Sequence, residues 1–76
     1  MSVHLEVGYE PSEPGVLEGK LLARVHQFGG RWSASGVYVQ TGEHEVEFVG
    51  FESKEIAEKL KRMIVRWVGV RWAQVY

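Results

Sequence analysis

The histidines and one pair of strand carboxylates are the side chains in this sequence that could support catalysis or hold a metal ion. His4, His26 and His44 are its three histidines, and a zinc site needs three or four such ligands brought together. Glu45 and Glu47 stand two residues apart, so a strand would place both carboxylates on one face, where they could act as acid and base. The histidines fall in separate segments, and no pocket pattern surrounds the glutamates. We therefore expect surface histidines, strand charges that discourage aggregation, and no catalytic or metal site.

The composition excludes several classes of active protein. Cysteine is absent, which excludes thiolate zinc sites, iron–sulfur clusters, disulfides and cysteine nucleophiles. All ten acidic residues are Glu and the chain has no Asn, which excludes Ser-His-Asp triads and calcium-binding EF-hands. We therefore expect a small domain that binds a partner and uses no cofactor.

Length and charge predict one small domain over residues 1–76, with 45% apolar and 25% charged residues. The net charge of −1 gives no basic footprint for nucleic acid. No apolar run could span a bilayer and the first residues lack a signal-peptide pattern, so we expect a cytoplasmic location and no membrane contact. Acidic residues concentrate in residues 1–18 and 43–52, whereas basic residues concentrate in residues 59–71. This uneven charge favours self-association or an acidic ligand, although a solvated helix face would give the same pattern.

The elements that must position these side chains follow from the apolar periodicity. Residues 3–9 alternate apolar and polar, which predicts a strand with one buried face. Residues 16–28 carry Leu17, Leu21, Val25 and Phe28 at helical spacing and end at two glycines, which favours a helix. The same segment also alternates over part of its length, so a strand is the open alternative.

The second half predicts a hairpin, a helix and a final strand. Residues 31–40 and 43–51 are rich in β-branched and aromatic residues and flank Thr41-Gly42. Ser53 precedes a strongly periodic segment that Gly69 ends, and residues 70–76 form a last strand. The predicted class is α+β, with the ferredoxin-like order β-α-β-β-α-β: a four-stranded antiparallel sheet with two helices on one face.

The turn after the first strand carries a family resemblance. Glu-Pro-Gly-Val-Leu at residues 13–17, an apolar helix, and Phe-Gly-Gly at residues 28–30 resemble the signature of ACT domains. The resemblance spans nearly the whole chain. Among members of the family, the chain is similar to the short regulatory subunits of acetohydroxyacid synthase. This resemblance implies the same ferredoxin-like fold and a non-enzymatic regulatory or assembly role beside a larger enzyme subunit.

The resemblance also implies a ligand site for an amino acid, at a subunit interface. The candidate ligand-binding residues surround the first turn: Ser12, Glu13, Gly15, Val16 and Leu17. Physically, glycine lets a ligand approach the backbone and the first amides of a helix suit a carboxylate. The alternative is that the turn only joins strand to helix.

The predicted hairpin supplies the candidate interface. A two-residue turn at Thr41-Gly42 would place Tyr38 opposite Glu45, Ala34 opposite Val49 and Trp32 opposite Phe51. Apolar side chains would then lie together on the open sheet face. An exposed apolar patch of this kind indicates a surface that binds a partner. The candidate interface residues are Trp32, Ala34, Tyr38, Val49 and Phe51, and we expect a homo-oligomer. The alternatives are a small inhibitor or interaction module that binds a larger complex through its sheet face, and an RNA-binding domain.

Overall fold

The six elements follow the predicted order. The computed structural model describes residues 3–10, 15–37 and 40–76. Within them the elements are β1 (Leu5–Tyr9), α1 (Val16–Gln27), β2 (Arg31–Val37), β3 (His44–Val49), α2 (Lys54–Ile64) and β4 (Val70–Val75). The strands form one antiparallel sheet in the order β2-β3-β1-β4, so β2 and β4 are its edges. The predicted α+β ferredoxin-like fold is confirmed.

Both helices cover the same face of the sheet, where they enclose the core. The strands contribute alternate residues to the core, and each helix contributes a stripe at helical spacing. The buried core consists of Leu5, Val7, Tyr9, Leu17, Leu21, Val25, Val46, Phe48, Phe51, Ala57, Leu60 and Ile64. Neither helix in the described ranges is long and apolar enough to span a membrane.

Helix α1 forms as the apolar stripe predicts, and the strand alternative for residues 16–28 is wrong. Gly15 precedes the helix with a φ of 71°, a left-handed conformation that favours glycine. The stripe residues Leu17, Leu21 and Val25 are buried, and Phe28 follows the last helical residue. Burial of the stripe therefore outweighs the helix-destabilising effect of the interior Gly19. A side chain at residue 19 would meet no atom within 4 Å.

Helix α2 is shorter than its periodicity predicts. Ser53 precedes it, and the serine Oγ accepts a hydrogen bond of 3.3 Å from the Ile56 amide, as expected for an N-terminal cap. The helix ends at Ile64, and a tighter turn follows in which the Trp67 amide donates to the Ile64 carbonyl. That turn still brings Trp67 against the core.

The register of the hairpin differs from the predicted one. Ala34 lies opposite Glu47 rather than Val49, and the pairing shifts again between Trp32 and Ala34, where Trp32 lies opposite Phe48. Val37 lies opposite His44, whereas a two-residue turn at Thr41-Gly42 would place it opposite Val46, so the connection is not that turn. A bulge between residues 32 and 34 then turns the strand by one residue, which moves a side chain to the other face.

This register corrects the predicted open face. Trp32 pairs with a core residue and lies on the helix side, whereas Ala34 and Val49 lie on the open side. Phe51 follows β3 and packs into the core, where it is 6% exposed. Trp32 and Phe51 therefore do not form an apolar patch on the open face. Tyr38 lies outside the described residues.

Candidate functional site

Strand β2 is the most exposed element of the sheet. All seven of its residues are exposed, and its outer edge has no neighbouring strand in the part of the chain that the structure describes. Its single charged residue is Arg31, at one end. Natural edge strands are usually protected by charges, proline or a short length. This edge is long and nearly uncharged, so it can add a further strand.

An apolar groove runs beside this strand, and we call it the α1–β2 seam. It is bordered by Leu22 on α1 and by Trp32 and Val37 on β2, which are 45%, 54% and 56% exposed. Helix α1 lies over the central strands through Leu21 and Val25, and it leaves the helix-side residues of β2 partly uncovered. The seam is thus an apolar surface continuous with an open strand edge.

A cavity of about 180 Å³ lies within the seam. Its apolar walls are Leu21, Leu22, Trp32, Val46 and Phe48, and its polar groups belong to Tyr9, Glu18 and Ser35. These residues come from β1, α1, β2 and β3, so the cavity exists only in the folded chain. Its combination of apolar walls and a few polar groups is typical of small-molecule sites.

Glu18 is the unusual polar group of this cavity. Its Oε1 atom is shielded from solvent and has no hydrogen-bond partner among the residues that the structure describes. The neighbouring Tyr9 has a raised pKa, because burial disfavours its phenolate and the charge of Glu18 disfavours it further. A shielded carboxylate oxygen without a donor costs stability, so the cavity favours a positively charged group beside it.

The open sheet face is polar and acidic rather than apolar. Tyr76 is central to it, because its hydroxyl lies 2.6 Å from Glu47 Oε2 and 2.9 Å from Glu6 Oε2. The phenol has a single proton and donates to one carboxylate at a time. The His4 ring stacks on Tyr76 with centroids 5.2 Å apart, and its Nδ1 lies 3.4 Å from Glu47 Oε1.

These contacts shift two pKa values in opposite directions. The hydrogen bond from Tyr76 lowers the pKa of Glu47, since it stabilises the carboxylate. The same bond and the nearby carboxylates raise the pKa of Tyr76 well above its ordinary value. The acidic face is therefore an ordered network at neutral pH.

A second contact on this face joins β1 and β4. The indole of Trp72 lies directly over Gly8, where a side chain would overlap it, and its Nε1 donates a hydrogen bond of 2.8 Å to Glu43 Oε1. Nearby, Arg71 forms an ion pair with Glu10. Glycine at residue 8 thus provides the space that Trp72 occupies.

The predicted ligand residues separate in the structure. Gly15 and Val16 are exposed at the start of α1, whereas the Leu17 side chain is buried in the core. Ser12 and Glu13 lie outside the described residues, so the amino-acid site at this turn stays a prediction. Sequence reasoning did not identify Tyr9, Glu18 and Ser35. The available signal was the position of Glu18, one residue after the predicted site.

The structure keeps the three histidines apart from one another, whereas Glu45 and Glu47 share the open face and His4 contacts Glu47. His4 lies on the open face, His44 lies beside Tyr9 on the helix side, and His26 is exposed on α1. Within residues 3–10, 15–37 and 40–76, no three His, Cys, Asp or Glu side chains could together hold a metal ion.

Comparisons with known proteins identify the fold. No family model matches the sequence, and no curated protein matches it. Among solved structures, the chain is similar to the ACT domain from the GTP pyrophosphokinase of Chlorobium tepidum, with a TM-score of 0.70 and 9% sequence identity. That similarity covers 100% of this chain and 97% of the other. At so low an identity the similarity concerns the fold, and with the element order and sheet topology it leads to one conclusion: the chain has an ACT-like fold.

Proposed function

We propose that this chain is a non-enzymatic regulatory or assembly module that self-associates through strand β2. The observation that carries the proposal is the wholly exposed edge strand, continuous with the apolar α1–β2 seam. The ACT-like fold supports a regulatory role. The partner enzyme and the cytoplasmic location expected from the sequence belong to the same proposal.

Two copies would pair their β2 strands antiparallel about a two-fold axis. Such pairing joins two four-stranded sheets into one and gives the backbone groups of both edges a partner. It also places the two seams side by side on the helix face. Trp32 and Leu22 of each copy then lose contact with water.

The apolar surface buried between the two copies would stabilise a dimer, but not enough to make it permanent. Trp32, Val37 and Leu22 are each about half exposed, and burying the remainder contributes roughly 1 kcal/mol per side chain. Over both copies this sum is near the lower end of the cost of association, which is about 4–15 kcal/mol. The hydrogen bonds of the new strand pair add to it. We therefore expect a weak, reversible dimer rather than a permanent one.

The open face argues against the RNA-binding alternative. Glu6, Glu43 and Glu47 surround its aromatic residues Trp72 and Tyr76, and these carboxylates would repel a phosphate backbone. If the chain is instead an interaction module that binds through this face, the acidic surface requires a basic partner.

Sedimentation equilibrium over the micromolar range tests the proposal. The natural chain should show a monomer–dimer equilibrium, and Trp32→Glu should remain monomeric because it places a charge in the contact. Val68→Glu is the matched control, since Val68 is 97% exposed in the turn before β4, away from β2. Circular dichroism checks that both variants fold. A natural chain that stays monomeric at high micromolar concentration, or a Trp32→Glu variant that dimerises like the control, contradicts the proposal.

A further inference from the structure

We propose that the cavity in the α1–β2 seam binds a small aliphatic ammonium ion, with the Glu18 carboxylate as its counter-ion. The cavity is built from a single protomer, so this inference does not depend on self-association. It concerns Tyr9, Glu18 and Ser35, none of which belongs to the predicted site at the first turn.

The shielded carboxylate defines the charge of the ligand. Glu18 lines the cavity, and within residues 3–10, 15–37 and 40–76 its Oε1 has no hydrogen-bond partner. The last torsion of a glutamate side chain is broad, so a small rotation turns a carboxylate oxygen toward a ligand. A cationic nitrogen there supplies the missing donor, and a charge-assisted hydrogen bond to a shielded oxygen is stronger than a neutral one.

The other polar groups match an ammonium. An alkylammonium has three N–H donors, and the cavity offers the Glu18 carboxylate, the Tyr9 phenol and the Ser35 hydroxyl. The raised pKa of Tyr9 keeps the phenol protonated at neutral pH, and its oxygen can accept a hydrogen bond. The indole of Trp32 adds an aromatic wall, which is favourable beside a cation.

The volume of the cavity and the charges of its lining residues limit what else the ligand can carry besides the ammonium group. A cavity of about 180 Å³ holds a branched aliphatic chain or a small ring, since voids of about 150 Å³ hold benzene. The described lining contains no Lys, Arg or His, and neither do residues 11–14 or 38–39. A ligand that also carried a carboxylate would find no cationic partner among these lining residues, so the cavity favours an amine over the corresponding amino acid.

Three ligands of one shape test this assignment. Isoamylamine, leucine and isocaproate share a branched aliphatic chain. Isoamylamine carries an ammonium group, isocaproate carries a carboxylate, and leucine carries both. At pH 7 and fixed ionic strength, we expect isoamylamine to raise the melting temperature and to shift the NMR signals of residues 9, 18, 32 and 35. Leucine should bind more weakly, and isocaproate should not bind.

Two charge-neutralising variants complete the experiment. Glu18→Gln should weaken isoamylamine binding roughly tenfold or more, because it removes the counter-ion and leaves the shape unchanged. Glu55→Gln is the matched control, since Glu55 occupies the first turn of the other helix. The proposal is overturned if isoamylamine does not bind, if leucine binds as well or better, or if both variants respond alike.

Discussion

Replacing Gly8 by alanine should destabilise the protein although alanine suits a strand better than glycine. A methyl group at residue 8 would overlap the indole nitrogen of Trp72 and approach its Cδ1 within 2.8 Å. Trp72 must then move, and its hydrogen bond to Glu43 is lost or lengthened. The same substitution at Gly36, also on the open face, would contact nothing within 4 Å, so Gly36→Ala is the matched control.

The magnitude follows from two opposing terms. Overpacking of this kind costs about 1–3 kcal/mol, and the reduced entropy of the unfolded chain returns about 0.4–1 kcal/mol. The net loss for Gly8→Ala is therefore about 1–2 kcal/mol, which lowers the melting temperature of so small a domain by roughly 5–15 °C. Gly36→Ala has only the favourable term and should be neutral or slightly stabilising.

Urea and thermal unfolding followed by circular dichroism, at one protein concentration, measure both variants. A double-mutant cycle isolates the cause, because Gly8→Ala made in a Trp72→Ala background has no indole to displace. In that background the loss should disappear. Two results would contradict this reasoning: Gly8→Ala is as stable as Gly36→Ala, or its loss of unfolding free energy persists without the indole. In either case, packing of Trp72 against β1 is not the reason that residue 8 must be glycine.

Three further predictions concern the network and the helices. Tyr76→Phe should cost about 0.5–1 kcal/mol at pH 7, a modest value because the phenol is half exposed. That difference should shrink below about pH 4, where Glu47 becomes protonated in the folded state as well despite its lowered pKa. It should also shrink above about pH 10, where Tyr76 ionises in the unfolded chain while its raised pKa keeps the folded phenol protonated; unfolding curves across pH check both limits. Ser53→Ala should cost about 1 kcal/mol of unfolding free energy and Ser53→Asp should restore it, if the capping bond to Ile56 matters. Gly30→Ala should destabilise by about 1–3 kcal/mol, since its methyl group would lie 2.6 Å from Phe51 in the core; urea midpoints equal to the natural chain's would contradict this.

The fold could be predicted because its determinants are local. The stripe of α1, the capping serine of α2 and the alternation of β1 each indicate one element, and together they fit one topology. Even the ambiguous segment resolves once Gly15 and the residues after Phe28 mark its ends. Periodicity of this kind states which residues share a face and does not depend on distant contacts.

The hairpin register could not be predicted from the same information. Thr41-Gly42 suggests a two-residue turn, but Val37 lies opposite His44 rather than Val46, and the pairing shifts at a bulge between Trp32 and Ala34. Both sides of this hairpin carry apolar residues, so the pattern specifies its register weakly. One bulge was enough to move Trp32 to the helix side.

The cavity lay beyond sequence reasoning for a related reason. Its polar groups come from Tyr9, Glu18 and Ser35, which belong to three different elements. Each is unremarkable in its own segment. Only the packing of α1 over the central strands, away from the helix-side residues of β2, brings them to one space.

Disulfide trapping in the folded protein tests self-association through β2 most directly. The chain has no cysteine, so single cysteines at Ala34, Ser35 and Gly36 report only on contacts between copies. A disulfide requires Cα atoms within about 7 Å, which two β2 strands paired about a two-fold axis provide near their centre. We predict rapid crosslinking of at least one β2 variant at micromolar concentration, and none beyond random collision for Val68→Cys. If no β2 variant crosslinks faster than Val68→Cys, the two strands do not pair and the proposed mode of association is wrong.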